Sequence, residues 1–194
     1  LIWAVPAKNK ITVPDSVTSI ADNALKAGKA TSVYLGKKVK MIGKDAIAGK
    51  KITKVSIAKK NKSIAKQGQC VYEKKSGKLL IAIAKKNVVK IGNKVKLISE
   101  DASLCGSRQL KKLDIGASVK TLQGAWGEFY RAGYVTTKVY FRSKNPPKLT
   151  QNNDKNYCYL PIFRDVYVPK ASLKKYKKWY KKNDALQFAR IKTF

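Results

Sequence analysis

One three-residue pattern governs what this chain can fold into. An apolar residue, any residue and a second apolar residue recur as Ile11-Thr12-Val13, Val33-Tyr34-Leu35, Val55-Ser56-Ile57, Val89-Lys90-Ile91, Leu113-Asp114-Ile115, Val139-Tyr140-Phe141 and Val166-Tyr167-Val168. Side chains alternate across a strand, so the outer two residues of each triplet face one way and the middle one faces the other. Seven short strands with an apolar inner face are expected, none of which could bury that face alone.

Successive triplets start 22, 22, 34, 24, 26 and 27 residues apart. All but one spacing fall within the roughly 20–29 residues typical of leucine-rich repeats, and stacked units of that length bury their apolar faces on one another. A second signal runs in phase with the first: Val17 with Ile20, Val39 with Ile42, Val95 with Ile98 and Val119 with Leu122. A third follows as Asp22-Asn23-Ala24-Leu25, Lys44-Asp45-Ala46-Ile47 and Glu100-Asp101-Ala102, with Gly28, Gly49 and Gly106 soon after, and reads as a short turn or helical segment ending at glycine. The expected fold is a leucine-rich-repeat solenoid with one continuous parallel ladder and short turns or helical segments on its other side. The 34-residue gap holds two apolar runs around Lys75-Ser76-Gly77, from Cys70 to Ile83, and predicts an inserted β-hairpin at about 69–84. The array is expected over 1–168. Residues 169–194 are expected to form a cap, with Leu173, Tyr176 and Trp179 or Tyr180 spaced as the apolar stripe of a basic amphipathic helix. Such a helix could also lie on an anionic membrane.

Val13-Pro14-Asp15-Ser16-Val17-Thr18-Ser19-Ile20-Ala21-Asp22-Asn23-Ala24-Leu25, Lys40 to Ala46, the inserted hairpin, the Ser143 to Pro147 turn and the ending Val166 to Tyr176 together resemble the BspA-like leucine-rich repeat family. Leu25 and Ile47 stand where that family usually has Phe, and lysine is far more abundant than in such repeats generally. The resemblance implies a bacterial surface or secreted protein, some relatives being implicated in adhesion to host matrix proteins or other bacteria. Fold does not fix ligand.

Charge is the other constraint. The chain has 43 Lys plus Arg against 11 Asp plus Glu, a formal net charge of +32. Such a field attracts polyanions in a salt-dependent way. Only five of the cations are arginine (Arg108, Arg131, Arg142, Arg164 and Arg190), no nucleic-acid reader motif is present, and base readout favours arginine. Nucleic-acid binding would then be blind to sequence. With no histidine in the chain, the commonest general base and metal ligand are missing, so neither an enzyme, a cofactor nor a metal site is expected. Asp22, Asp45, Glu100 and Asp101 occupy turn positions where caps and local hydrogen bonds account for them. Gly43 to Lys51 fails as a phosphate loop, because five residues separate Gly43 from Gly49 and Lys51 stands in place of Ser or Thr. Cys70, Cys105 and Cys158 are odd in number and widely spaced, and read as buried free thiols. No apolar run approaches the roughly 20 residues of a membrane span, so a soluble chain is expected. The sequence opens at Leu1 without Met and reads as a processed or trimmed fragment.

The outward phase of the ladder supplies the candidate site. Tyr34, Lys54, Lys90, Lys112, Lys138, Tyr140 and Tyr167 are expected to form a platform for a host extracellular matrix protein or an anionic glycan, with ammonium groups on acidic groups and rings on sugars or apolar patches. The bland alternative is a solvated sheet face. A second ladder, Lys38, Lys60, Lys94 and Lys144, falls five residues after a triplet start and serves either solubility or a counter-charged partner. The function expected is an extracellular or cell-surface adhesion module, monomeric because of its charge. The alternatives are non-specific polyanion binding and a structural spacer of a larger surface protein.

Overall fold

The computed structural model describes residues 9–25, 29–49, 51–107, 109–124, 138–150, 164–183 and 189–194. Cys158, Gly28, Arg108 and Arg131 lie outside them. All seven triplets form strands: β1 (Lys10–Val13), β3 (Ser32–Leu35), β5 (Lys54–Ile57), β9 (Val88–Ile91), β12 (Lys112–Ile115), β14 (Lys138–Phe141) and β16 (Asp165–Val168). Their outer residues are buried on the inner face, apart from Ile57, which is partly buried. Pairing is parallel and in register with the repeat, as in Val33 opposite Val55 and Leu113 opposite Val139.

The single continuous ladder expected from the triplets is not formed. Strands order as β1-β3-β5 in one sheet and, with β17 (Arg190–Thr193), as β17-β16-β14-β12-β9 in another. The break falls in the third repeat, where Asn61 replaces the valine seen at Val17, Val39, Val95 and Val119. Its amide is saturated: Nδ2 donates to the carbonyls of Gly36 and Val39 at 2.9 and 3.0 Å, and Oδ1 accepts from the amides of Ser63 and Ile64 at 2.9 Å each. A buried polar group satisfied in this way can stand in for an apolar one. Beyond it the chain runs into an antiparallel meander of β6 (Ile64–Gln67), β7 (Cys70–Glu73) and β8 (Leu79–Ile83), with β11 (Ser103–Cys105) parallel to β8. The expected hairpin is therefore present, with β6 as an additional strand.

Every residue of β8 is buried, as its unbroken apolar run requires of a strand covered on both faces. Leu79 and Ala82 pack in a core that extends to the C-terminal repeats, whereas Leu80, Ile81 and Ile83 pack in one that extends back to Ile11. β8 is thus a wall between two cores. The strand edges it leaves unpaired are met by side chains, a common protection against edge-to-edge association. Lys66 Nζ donates to the Val55 carbonyl of β5 at 2.8 Å. Along β9, Gln69 accepts from the Lys90 amide and donates to the Val88 carbonyl, each at 2.8 Å.

The other side of the solenoid carries the expected short turns, at 22–25, 44–47 and 100–101, together with short strands. β2 (Ser19–Ile20) pairs with β4 (Met41–Ile42), and β10 (Leu97–Ser99), β13 (Thr121–Gln123) and β15 (Lys148–Thr150) form a second parallel row. Repeats also lock through acids, beyond local bonds such as that from Ser99 Oγ to Asp101 Oδ2 at 3.4 Å. Asp22 Oδ1 accepts from the Lys44 amide at 2.7 Å, and Asp15 Oδ1 from the Lys37 amide at 2.8 Å, each one 22-residue repeat away. Glu100 and Asp101 pair with Lys44 and Lys78. Contact between turns is close: a Cβ at Gly36 would lie 2.4 Å from the Pro14 carbonyl oxygen.

The cap is a short 3-10 turn (Lys170–Ser172), helix α1 (Leu173–Lys182) and strand β17. Tyr176 and Tyr180 are buried, and Phe141 lies 5.4 Å from Tyr176 and 5.8 Å from Trp179 between ring centroids. The apolar stripe of α1 is spent on the last repeats, which leaves its lysines in water. Strand β17 escapes sequence reading because only Ile191 is apolar in Arg190-Ile191-Lys192-Thr193. Among the described residues, no helix is long and apolar enough to cross a membrane.

Candidate ligand-binding face

The parallel register decides which candidate residues meet. Tyr34 and Lys54 lie on the β1-β3-β5 sheet, whereas Lys90, Lys112, Lys138, Tyr140 and Tyr167 lie on the longer one. The seven residues are therefore carried by two sheets rather than by one uninterrupted platform.

On the longer sheet the outward row reads Lys90, Asp114, Tyr140, Tyr167 and Lys192, because these residues are paired across β9, β12, β14, β16 and β17. Tyr140 stacks on Tyr167 with centroids 4.4 Å apart and planes 7° from parallel. Lys112 Nζ lies 4.0 Å from the Tyr140 centroid, and Lys192 Nζ lies 5.7 Å from that of Tyr167. The Arg142 guanidinium sits 5.1 Å from Tyr140 and 4.6 Å from the half-exposed Phe194. Tyr167 and Lys112 come from opposite neighbours of β14, so both faces of the Tyr140 ring are covered. The ring edge and hydroxyl remain to meet a ligand, rather than the flat face expected to stack on a sugar.

Two bidentate ion pairs hold this surface in place. Arg142 Nε and Nη2 donate to the two oxygens of Asp114 at 2.7 Å each, with Lys112 Nζ 3.5 Å away. Arg190 makes the same fork with Asp165 at 2.9 and 3.0 Å, and Lys192 Nζ lies 3.1 Å from Asp165 Oδ1. Burial pushes the Asp114 carboxyl up, but its hydrogen bonds and charge contacts with Arg142 and Lys112 outweigh that and leave it below the ordinary carboxylate range. Asp165 is lowered by the same balance with Arg190 and Lys192. Bidentate pairing fixes a guanidinium in plane as well as in position.

Arg142, Asp165, Arg190, Lys192 and Phe194 were missed by sequence reasoning. Arg142 stands one residue past its triplet, and Asp165 one residue before, where the repeat phase already places an outward side chain. The other three depend on β17. Lys38, Lys60, Lys94 and Lys144 are all exposed and make no ion pair among the described residues. Burial pushes the Cys70 thiol up to about 11 and the Cys105 thiol up to about 12, each offset in part by a backbone hydrogen bond. Cys105 Sγ donates to the Ile47 carbonyl at 2.7 Å, so both thiols serve packing.

Residues 7–130 match the BspA type leucine rich repeat region in six copies, well over half of the chain. The chain belongs to that family. Among solved structures, a leucine rich cell surface protein from Faecalibacterium prausnitzii A2-165 matches at 12% identity with a TM-score of 0.44. That match covers 95% of this chain and 59% of the other, so this BspA-type chain spans less than two thirds of it. The pneumococcal vaccine antigen PcpA matches at 11% identity and TM-score 0.43, covering 96% of this chain and 68% of that one. No curated protein matches the sequence.

Proposed function

We propose that this BspA-type repeat chain is a non-enzymatic binding module of a bacterial surface or secreted protein, and that it takes an acidic partner on the C-terminal part of its ladder. One observation carries the reading. The register gathers Tyr140, Tyr167, Phe194, Arg142, Lys112 and Lys192 into one contiguous cationic and aromatic surface. Tyrosine and arginine held rigidly are the residue types that dominate binding energy at protein interfaces. A host matrix protein with acidic loops, or an anionic glycan meeting ring edges and hydroxyls, suits that surface. The test is a glycan, matrix-protein and nucleic-acid array read at low salt and at about 0.3 M, where the Debye length is about 6 Å. One matrix protein or glycan is expected to survive high salt, and to be lost on combining Lys138→Glu with Tyr167→Ser. Survival of that hit in the double variant would refute this assignment of the surface.

The exposed, acid-free lysines Lys38, Lys60, Lys94 and Lys144 favour a second reading, attraction of polyanions by charge alone. It predicts uniform loss of every polyanion signal at the higher salt. A spacer role predicts no saturable ligand at either salt.

A further inference from the structure

The break in the ladder opens a solvent-exposed cleft of about 400 Å³ between β5 and β6. Its rim carries Lys54, Lys59, Lys66 and Lys74, and no carboxylate lines it. Val55, Ile57, Ile64 and Ala65 contribute apolar wall. We infer that this cleft is a binding site for a small ligand bearing an oxyanion, a carboxylate or sulfate group on a saccharide-sized body. The site is independent of the C-terminal surface, since none of its residues lies on the longer sheet.

Three features separate it from the lysines spread over the rest of the molecule. First, two ammonium groups are already positioned. Lys66 Nζ is held by the Val55 carbonyl at 2.8 Å and Lys74 Nζ by the Asn61 carbonyl at 2.7 Å. Each of these bonds uses one of three N–H donors, and much of the side-chain entropy that an anion would otherwise freeze is lost in advance. Second, the charge here is uncompensated: none of the four lysines has a carboxylate partner among the described residues. Desolvation, then repulsion from Lys85 and Lys54, holds the Lys66 ammonium below its ordinary range, strain that a bound anion would relieve. Third, the site has shape. Concave pockets with apolar walls and a few fixed polar groups are where small ligands bind, and 400 Å³ falls in their usual range of about 300–1,000 Å³. The walls suit the C–H faces of a sugar ring, and the amide of Asn61, fully engaged in the fold, leaves recognition to the ammonium groups.

The test follows backbone amide shifts of residues 54–66 by NMR at about 0.15 M salt during titration with sodium sulfate, N-acetylneuraminic acid and neutral N-acetylglucosamine. A saturable shift with sulfate indicates an anion site sufficient in itself, and one seen only with the acidic sugar indicates that the walls contribute; either supports the inference. Lys66→Gln removes the charge and, being one bond shorter, loosens the bond to Val55, whereas Lys54→Gln alters a side chain with no hydrogen bond or ion pair among the described residues, so the second remains interpretable if the first unfolds. Each is expected to weaken binding about tenfold, the scale of one charge-assisted hydrogen bond. Lys38→Gln with Lys144→Gln, on the loop ladder, is expected to leave binding within about twofold by the same scale. Absence of a saturable shift, an equal response to the neutral sugar, or an equal loss in the loop-ladder variant would overturn the site.

Discussion

Tyr176 and Tyr180 sit one turn apart on α1, both buried to the same degree, yet their hydroxyls meet different surroundings. The Tyr176 hydroxyl donates toward the carbonyls of Ser143 and Asn145, at 3.1 and 3.3 Å, and so ties the cap to the Ser143 turn. The Tyr180 hydroxyl finds no partner among the described residues. Burial pushes both phenols well above their ordinary range, so neither titrates near neutrality. Removing one partner of a buried hydrogen bond costs about 1–2 kcal/mol, whereas removing a buried hydroxyl that has no partner relieves a desolvation penalty. Tyr176→Phe is therefore expected to destabilise by about that amount in urea denaturation, and Tyr180→Phe to be neutral or stabilising by up to about 1 kcal/mol. The reverse order would show that the two hydroxyls have been assigned the wrong roles.

At the scale of elements, β8 lies in both cores. Leu79→Ala and Ile81→Ala should each cost about 2–5 kcal/mol, since both side chains are fully buried. The damage is expected on opposite sides of the wall. In hydrogen-exchange mass spectrometry Leu79→Ala should speed exchange chiefly in β9 and β12, and Ile81→Ala chiefly in β3 and β5. Equal acceleration on both sides would mean that the two cores open together. How much of this was legible in the sequence follows the same physics. The triplets announce themselves because an inward residue must be apolar, and the run Leu79 to Ile83 does so because a strand covered on both faces must be apolar throughout. The break at Asn61 did not, because one polar residue at a core position signals a departure only once its four hydrogen-bond partners are known. Strand β17 lies at the sheet edge with only Ile191 apolar, so no alternation could reveal it. The candidate face was legible in its phase, which picked out Tyr140, Tyr167 and Lys112, but the Asp165 fork depends on β17 and the Asp114 fork on a side chain one residue past its triplet reaching diagonally to the neighbouring strand.

Over the whole molecule the net charge of +32 opposes compactness. The few ion pairs among the described residues cannot balance it, and most exposed pairs contribute little. Raising salt from about 0.01 to 0.15 M shortens the Debye length from about 30 to 8 Å and screens this self-repulsion more than it weakens the pairs. The melting temperature followed by circular dichroism is expected to rise over that interval, and a fall would mean that specific pairs outweigh the general field. The wall formed by β8 also bears on how such a gene can change. Recombination between near-identical repeats adds or deletes whole units, and in an unbroken array each such event alters the distance between every downstream site and those upstream. Here Asn61 and Cys105 bond back to Gly36, Val39 and Ile47, so the repeat beside β5 is tied to the wall, and only a unit gained or lost farther out, ahead of β3, is expected to leave the surface around Tyr140 inherited intact.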